Sequence, residues 1–146
     1  MSSGCRSPEP ALVGQAGGVT LEALEIPECL ELLAGEEVGR LGVVAGGRPE
    51  IFPVNYVLDG NGILFRTAPG TKLDAAAGDA VVFEVDHLDR VTRSGWSVVI
   101  HGRAALYTHF DSAAMQRASS LWWASPKEHL LRITPEVITG RRLRPA

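Results

Sequence analysis

The stretch VGRLGVVAGGRPEIFPVNYVLDGNGILFRT, residues 38–67, decides the fold class. Its apolar residues come in short runs, and glycine punctuates them. Leu41, Val43 and Val44 lead into Ala45-Gly46-Gly47-Arg48, a hairpin turn, because glycine accepts positive φ at little cost. A second strand, about Pro49 to Leu58, ends at Asp59-Gly60-Asn61-Gly62, which carries two turn signals in four residues. A third runs from Ile63 to Thr67. Three strands joined by tight turns make an antiparallel meander.

On the N-terminal side, Leu24 to Gly35 reads as a short helix. Pro27 suits its first turn, Ile26, Leu30, Leu33 and Ala34 fall on one face, and Gly35 stops the run. Residues 1–18 are rich in Gly, Ser and Pro without periodicity and read as a disordered, mobile tail. Residues 19–146 then form one domain. On the C-terminal side, Thr71 to Ala77 reads as a helix capped by Thr71, with Asp74 three residues on. Ala80 to Asp86 reads as a strand and His87 to Gly95 as a polar loop. Trp96 to Tyr107 is the longest strand, with Trp96, Val98, Ile100, Ala104 and Leu106 on one face and Gly102 marking a bulge or a close backbone approach. Asp111 opens a helix to about Ser120. Over Lys127 to Leu143, Pro135 marks a break between two short elements. The sum is a mainly β chain with short helices: a six-stranded antiparallel barrel. Strict βαβ alternation, which would imply a parallel sheet, is absent.

With 146 residues, 45% hydrophobic and 21% charged, the chain can bury a core without a metal or disulfide staple. A net charge of −3 argues against a broad nucleic-acid surface, and no apolar run is long enough to span a membrane. Cys5 and Cys29 form no C-x-x-C, and the four histidines are scattered, so no metal-ligand spacing is present. No apolar leader precedes Cys5. These features read as a reduced cytoplasmic protein.

Chemistry concentrates in Leu64-Phe65-Arg66-Thr67-Ala68-Pro69-Gly70-Thr71-Lys72-Leu73. A strand ends in Arg66 and Thr67, the chain turns at Pro69-Gly70, and Thr71-Lys72 open a helix. A guanidinium, an ammonium, two hydroxyls and the N–H groups of a helix start are gathered there, all good phosphate partners. The same residues also read as a routine turn, cap and two solvated cations. In Ile51-Phe52-Pro53-Val54-Asn55-Tyr56, Pro53 removes a ladder donor and favours an edge, where backbone groups and Asn55 face a ligand or simply solvent. In Ser94-Gly95-Trp96-Ser97 the glycine lets a large ring swing toward a ligand or a second subunit, or the ring is core. Trp122-Trp123 line a pocket or a lid. His87 is a surface residue or a proton donor. Arg141, Arg142 and Arg144 form a basic cluster, a solvated tail or a cation source for an anionic ligand. No local Ser/His/Asp or Cys/His arrangement stands out.

In this order, Gly39-Arg40-Leu41-Gly42, Pro53-Val54-Asn55-Tyr56, Phe65-Arg66-Thr67 with Gly70-Thr71-Lys72-Leu73, Gly95-Trp96-Ser97-Val98 and Gly102-Arg103-Ala104 resemble the split-barrel flavoproteins related to pyridoxamine 5′-phosphate oxidase. The likeness covers Leu24 to Leu143 and is nearest the short bacterial branch that includes nitroimidazole-resistance-type proteins. It implies a six-stranded split barrel, a homodimer with FMN at the subunit interface, and an oxidoreductase acting on a small molecule. It implies cofactor contacts at Pro53, Val54, Asn55 and Tyr56 along the ring, and at Arg66, Thr67, Thr71, Lys72 and Leu73 around the phosphate. Trp96 and Ser97 would come from the partner subunit, and Arg141 would lie near the ring. Sister branches imply a reductase dependent on the deazaflavin F420 as the alternative. A third reading is a non-enzymatic flavin- or haem-binding protein that stores or senses its ligand, whose haem version would look to His87 or His101. The Arg-x-His element that grips substrate phosphate in the true oxidase is absent, which argues against pyridoxamine phosphate as substrate.

Overall fold

The computed structural model describes residues 18–68, 70, 71, 78–108, 113, 116, 118, 121 and 129–146. Its elements are β1 (Val19–Leu24), α1 (Ile26–Ala34), β2 (Val38–Ala45), β3 (Arg48–Asp59), β4 (Gly62–Thr67), β5 (Ala80–Asp89), β6 (Ser94–Leu106) and β7 (His129–Pro145). The strands form one antiparallel sheet in the order β1-β7-β4-β3-β2-β5-β6, and β6 returns to pair with β7. The ring thus closes through six strands, the expected barrel, and β1 is an addition along β7.

Strand alternation fills the barrel. Leu41, Val43, Val54, Tyr56, Phe65, Phe83, Val85, Val98, Ile100, Leu131 and Ile133 are buried inside it, with Tyr56 and Phe83 edge to face at 5.1 Å between ring centroids. A second apolar cluster lies on the outer face of β4, where Leu64 and Leu130 are covered by Ala118 and Leu121. On that face Arg132 reaches across Gly62 of β4 to Asp59 of β3, with its Nε 2.9 Å from the carboxylate and its Nη2 2.9 Å from the Asp59 carbonyl. Three strands are tied by one guanidinium.

Helix α1 packs on β7 and β3. Pro27 lies in its first turn, and the Glu28 carboxylate accepts from the Glu25 N–H at 3.3 Å. Its buried stripe is Cys29 and Leu33, four residues apart, rather than the expected set: Ile26 is half exposed and Ala34 is exposed. Gly140 permits this packing, because a Cβ there would stand 2.5 Å from the Cys29 sulfur.

Three boundaries differ from the sequence reading. A strand precedes the helix, since the alternating VTLEAL of β1 finds a partner in the last residues of β7, from Val19 opposite Pro145 to Leu24 opposite Gly140. Residues His87 to Asp89 extend β5 instead of opening a loop. The turn spans only Arg90 to Arg93, tightened by Asp89 Oδ1 accepting from the Val91 and Thr92 N–H groups. Pro135 does not divide β7. Opposite the pair His101 and Gly102, β7 carries Val137 and Pro135, leaving Glu136 as an extra residue in a bulge. Gly102 is the close approach expected of it, since a Cβ there would overlap the Thr134 carbonyl. The helix expected over 71–77 falls almost wholly outside the described residues, and in the later one Ala113, Gln116 and Ala118 are helical.

Candidate functional site

The barrel opens where β3 and β4 part. Their pairing runs from Asp59 opposite Gly62 to Tyr56 opposite Phe65 and ends there. Beyond it, β3 continues back through Asn55, Val54 and Pro53, paired on one side with β2, while β4 continues through Arg66 and Thr67 toward β7. Among the described residues, Arg48 to Asn55 therefore have a strand partner on one side only. The Tyr56 N–H donates to the Glu37 carbonyl at 3.0 Å, on the β2 side. Alternation then directs the backbone groups of Asn55 and the carbonyl of Pro53 toward the split. Pro53 sits in regular register opposite Arg40, its missing N–H costing no ladder bond on that open side.

The two sequence segments singled out above form the two lips of this split. On the β4 lip, Thr67 is buried and its hydroxyl lies 3.0 Å from that of Thr71, which donates to the Ala68 carbonyl at 2.8 Å. Gly70, at a φ of 78°, makes the turn that brings Thr71 back. Arg66 is half-buried, with its Nη2 donating to the Ala118 carbonyl at 3.4 Å. Lys72 and Leu73, and also Trp122 and Trp123, lie outside the described residues. On the β3 lip the Asn55 amide donates to the Glu37 carbonyl at 2.8 Å. Tyr56 is an interior residue, 2% exposed, whose hydroxyl donates to the Leu33 carbonyl at the end of α1 at 2.6 Å. Burial, helped by the Glu36 charge, pushes its phenol far above the usual range, so it is a neutral donor. A cavity of about 360 Å³ lies beside Asn55, between β3 and the exit of α1.

Trp96, Ser97 and Arg141 are elsewhere. Ser97 is paired with Arg141 and Asp86, and all three look outward. Trp96 is paired with His87 and Arg142, and its ring packs on the core, so neighbouring Trp96 and Ser97 serve opposite faces. Along β7, Arg141 is 12 residues from His129, the partner of Thr67, which is roughly 40 Å of extended chain. Within one chain the second group does not complete the split. His87, read from the sequence as a surface residue, a proton donor or a haem ligand, and Arg142, read as tail or as a cation source, flank Trp96 on either side; only the register of β5, β6 and β7 places them so.

Taken as chemistry, the split offers hydroxyls and a guanidinium for an anion on one lip and, on the other, a strand edge with a strand partner on one side only, suited to a flat, polar-edged ring. Comparison with known proteins bears on the family. The family model described as pyridoxamine 5′-phosphate oxidase matches residues 25–142. The uncharacterized protein Rv0080 of Mycobacterium tuberculosis is 32% identical over 150 residues, 98% of this chain and 95% of that one. Among solved structures, an FAD binding protein from Mycobacterium smegmatis is 38% identical with a TM-score of 0.71, covering 84% of this chain and all of its own. An FAD-binding protein from Mesorhizobium loti is 28% identical with a TM-score of 0.73, covering 86% and 98%. A match across the barrel from the start of α1 to Arg142 in β7, joined to likeness over whole relatives, puts this chain in the pyridoxamine 5′-phosphate oxidase family.

Proposed function

We propose that this chain is a flavin-dependent oxidoreductase of the cytoplasm, holding FMN in the β3–β4 split of a homodimer and acting on a small molecule. The observation that carries the reading is the one-sided pairing of Arg48 to Asn55, which begins where β4, carrying Arg66 and Thr67, leaves β3. The residues fit the group: the β4 lip matches a phosphate, and the Asn55 backbone matches the alternating donors and acceptors of the ring edge. Two of the similar structures are described as FAD-binding, and FAD shares this ring and first phosphate. A bound flavin supplies electron transfer in one- or two-electron steps; the chain supplies placement and charge. Arg66 and Lys72 offset the phosphate charge, and Tyr56 fixes the β3 lip against α1. Ser97 and Arg141, which face outward, are the contribution of the second copy. The exposed Val44 and Ile51, beside a cavity of about 440 Å³ on the outer face of β2 and β3, are apolar surface suited to that copy.

The test is the visible spectrum of the purified protein after incubation with FMN, FAD, F420 or haem and removal of the excess. Retention of FMN at one per chain is the expected result. Retention of FAD with exclusion of FMN changes the cofactor, and retention of F420 or haem alone, or of none, refutes the reading. In the same assay Lys72→Ala weakens FMN binding by about 1.5–3 kcal/mol, the worth of a hydrogen bond to a charged group.

A further inference from the structure

We propose that the cavity at the β5–β6–β7 end of the barrel is a separate binding site for a small aromatic anion, with Arg142 as its charge partner and Trp96 as its flat wall. The cavity, of about 250 Å³, is lined by His87, Asp89, Ser94, Gly95, Trp96, Arg142, Leu143 and Arg144. In register, Glu22 of β1, Arg142 of β7, Trp96 of β6 and His87 of β5 stand side by side across four strands.

The other charges there are engaged. The Glu22 carboxylate is opposite Arg142 yet takes Arg144 instead, 2.8 Å from its Nε. Asp89 is turned into the β5–β6 turn, where the Thr92 and Val91 N–H groups hold its carboxyl below the usual range. His87 Nδ1 lies 3.9 Å from the Glu36 carboxylate, and the Ser94 hydroxyl is 2.6 Å from that of Thr92. Arg142 differs: its Nε is buried and has no hydrogen-bond partner among the described residues. A buried donor on a cation without an acceptor is costly, and a carboxylate in the cavity that Arg142 lines would offset that guanidinium's charge. Trp96 packs against the core and also lines the cavity. Drug-sized pockets run from roughly 300 Å³ upward. The volume here therefore suits a single ring, not a dinucleotide.

The probe is benzoate, titrated calorimetrically into the full chain with and without bound FMN, with inorganic phosphate as a second probe. Saturable binding of benzoate at one per chain in both forms is expected, with phosphate at least tenfold weaker. Arg142→Gln should weaken benzoate at least tenfold, Arg142→Lys should retain intermediate affinity, and Arg103→Gln, on the outward face, should change nothing. Amide and indole NMR shifts on adding benzoate give a readout in the unmutated protein, and they should centre on Trp96 and Arg142. Absence of saturable binding, binding indifferent to Arg142→Gln, shifts centred elsewhere, or displacement of benzoate by FMN each overturns the proposal. Loss of FMN binding with benzoate binding intact would sink the flavin reading and leave this one standing.

Discussion

Glu84 and Asp86, two apart on β5, share the outward face of that strand, so their carboxyls are neighbours. Arg40 of β2 reaches Glu84 only at 3.9 Å. Burial, then the hydrogen bond and the charge of Asp86, push the Glu84 carboxyl up to about 7 from an ordinary 4.5, with Arg40 pulling the other way. Between those two values the folded chain retains a proton that the unfolded chain has released. Stability from this group therefore falls as pH rises from about 4.5 to 7. Glu84→Gln should remove that slope: urea midpoints at pH 5 and pH 8 should differ less for the variant than for the parent, with the gain at pH 8. An unchanged difference would mean that Glu84 ionises normally. The i, i+2 carboxyls were visible in the sequence, but the desolvation that couples them comes from strands β2 and β6, remote in the chain.

At the scale of elements, the meander of β2, β3 and β4 was readable because each turn carries its own glycines and each strand its own alternation. The positive-φ glycines Gly46, Gly47 and Gly60 sit where the hairpin signals placed them. The strand β7 was not readable, because its identity depends on a partner. Before the bulge its core residues are Leu131 and Ile133; after it they are Ile138 and Gly140, so inward positions change from odd to even. A period-2 pattern with a phase shift at Pro135 looks like two fragments until β6 is laid beside it. The extra residue accounts for the change of phase, and its side chain adds little. Glu136→Ala, which loses only an exposed 3.6 Å pair with Arg103, should change stability by less than about 1 kcal/mol. Deleting Glu136 should leave cooperative unfolding in place, because Pro135 stays opposite Gly102 and Val137 opposite His101, now in regular alternation, and Ile138 and Gly140 still face inward. A deletion variant that no longer unfolds cooperatively would show that the barrel needs the bend of the bulge itself. The candidate site divides the same way. Arg66, Thr67 and Thr71 were legible as a local cluster, while the parting of β3 from β4 that gives them a ligand-facing edge is a property of the closed ring.

For the whole molecule, the decisive fact is that the flavin contacts implied by resemblance fall into two groups that one chain holds apart. Arg66, Thr67 and Thr71 adjoin the His129 end of β7; Ser97 and Arg141 adjoin its other end, facing outward. On the proposed function, a complete site needs two chains, each giving one group to each of two sites. Two crippled chains should therefore complement. A chain carrying Arg66→Ala with Lys72→Ala and a chain carrying Ser97→Ala with Arg141→Ala should each retain little FMN alone. In a mixed dimer one site receives both damaged halves and the other receives both intact halves. Co-expressed and separately tagged, the purified heterodimer should retain one FMN per two chains, against two for the parent and none for either homodimer. Retention of none by a heterodimer of confirmed composition would place both groups in the same chain's site, and a parent that holds FMN as a monomer would remove the need for a second copy.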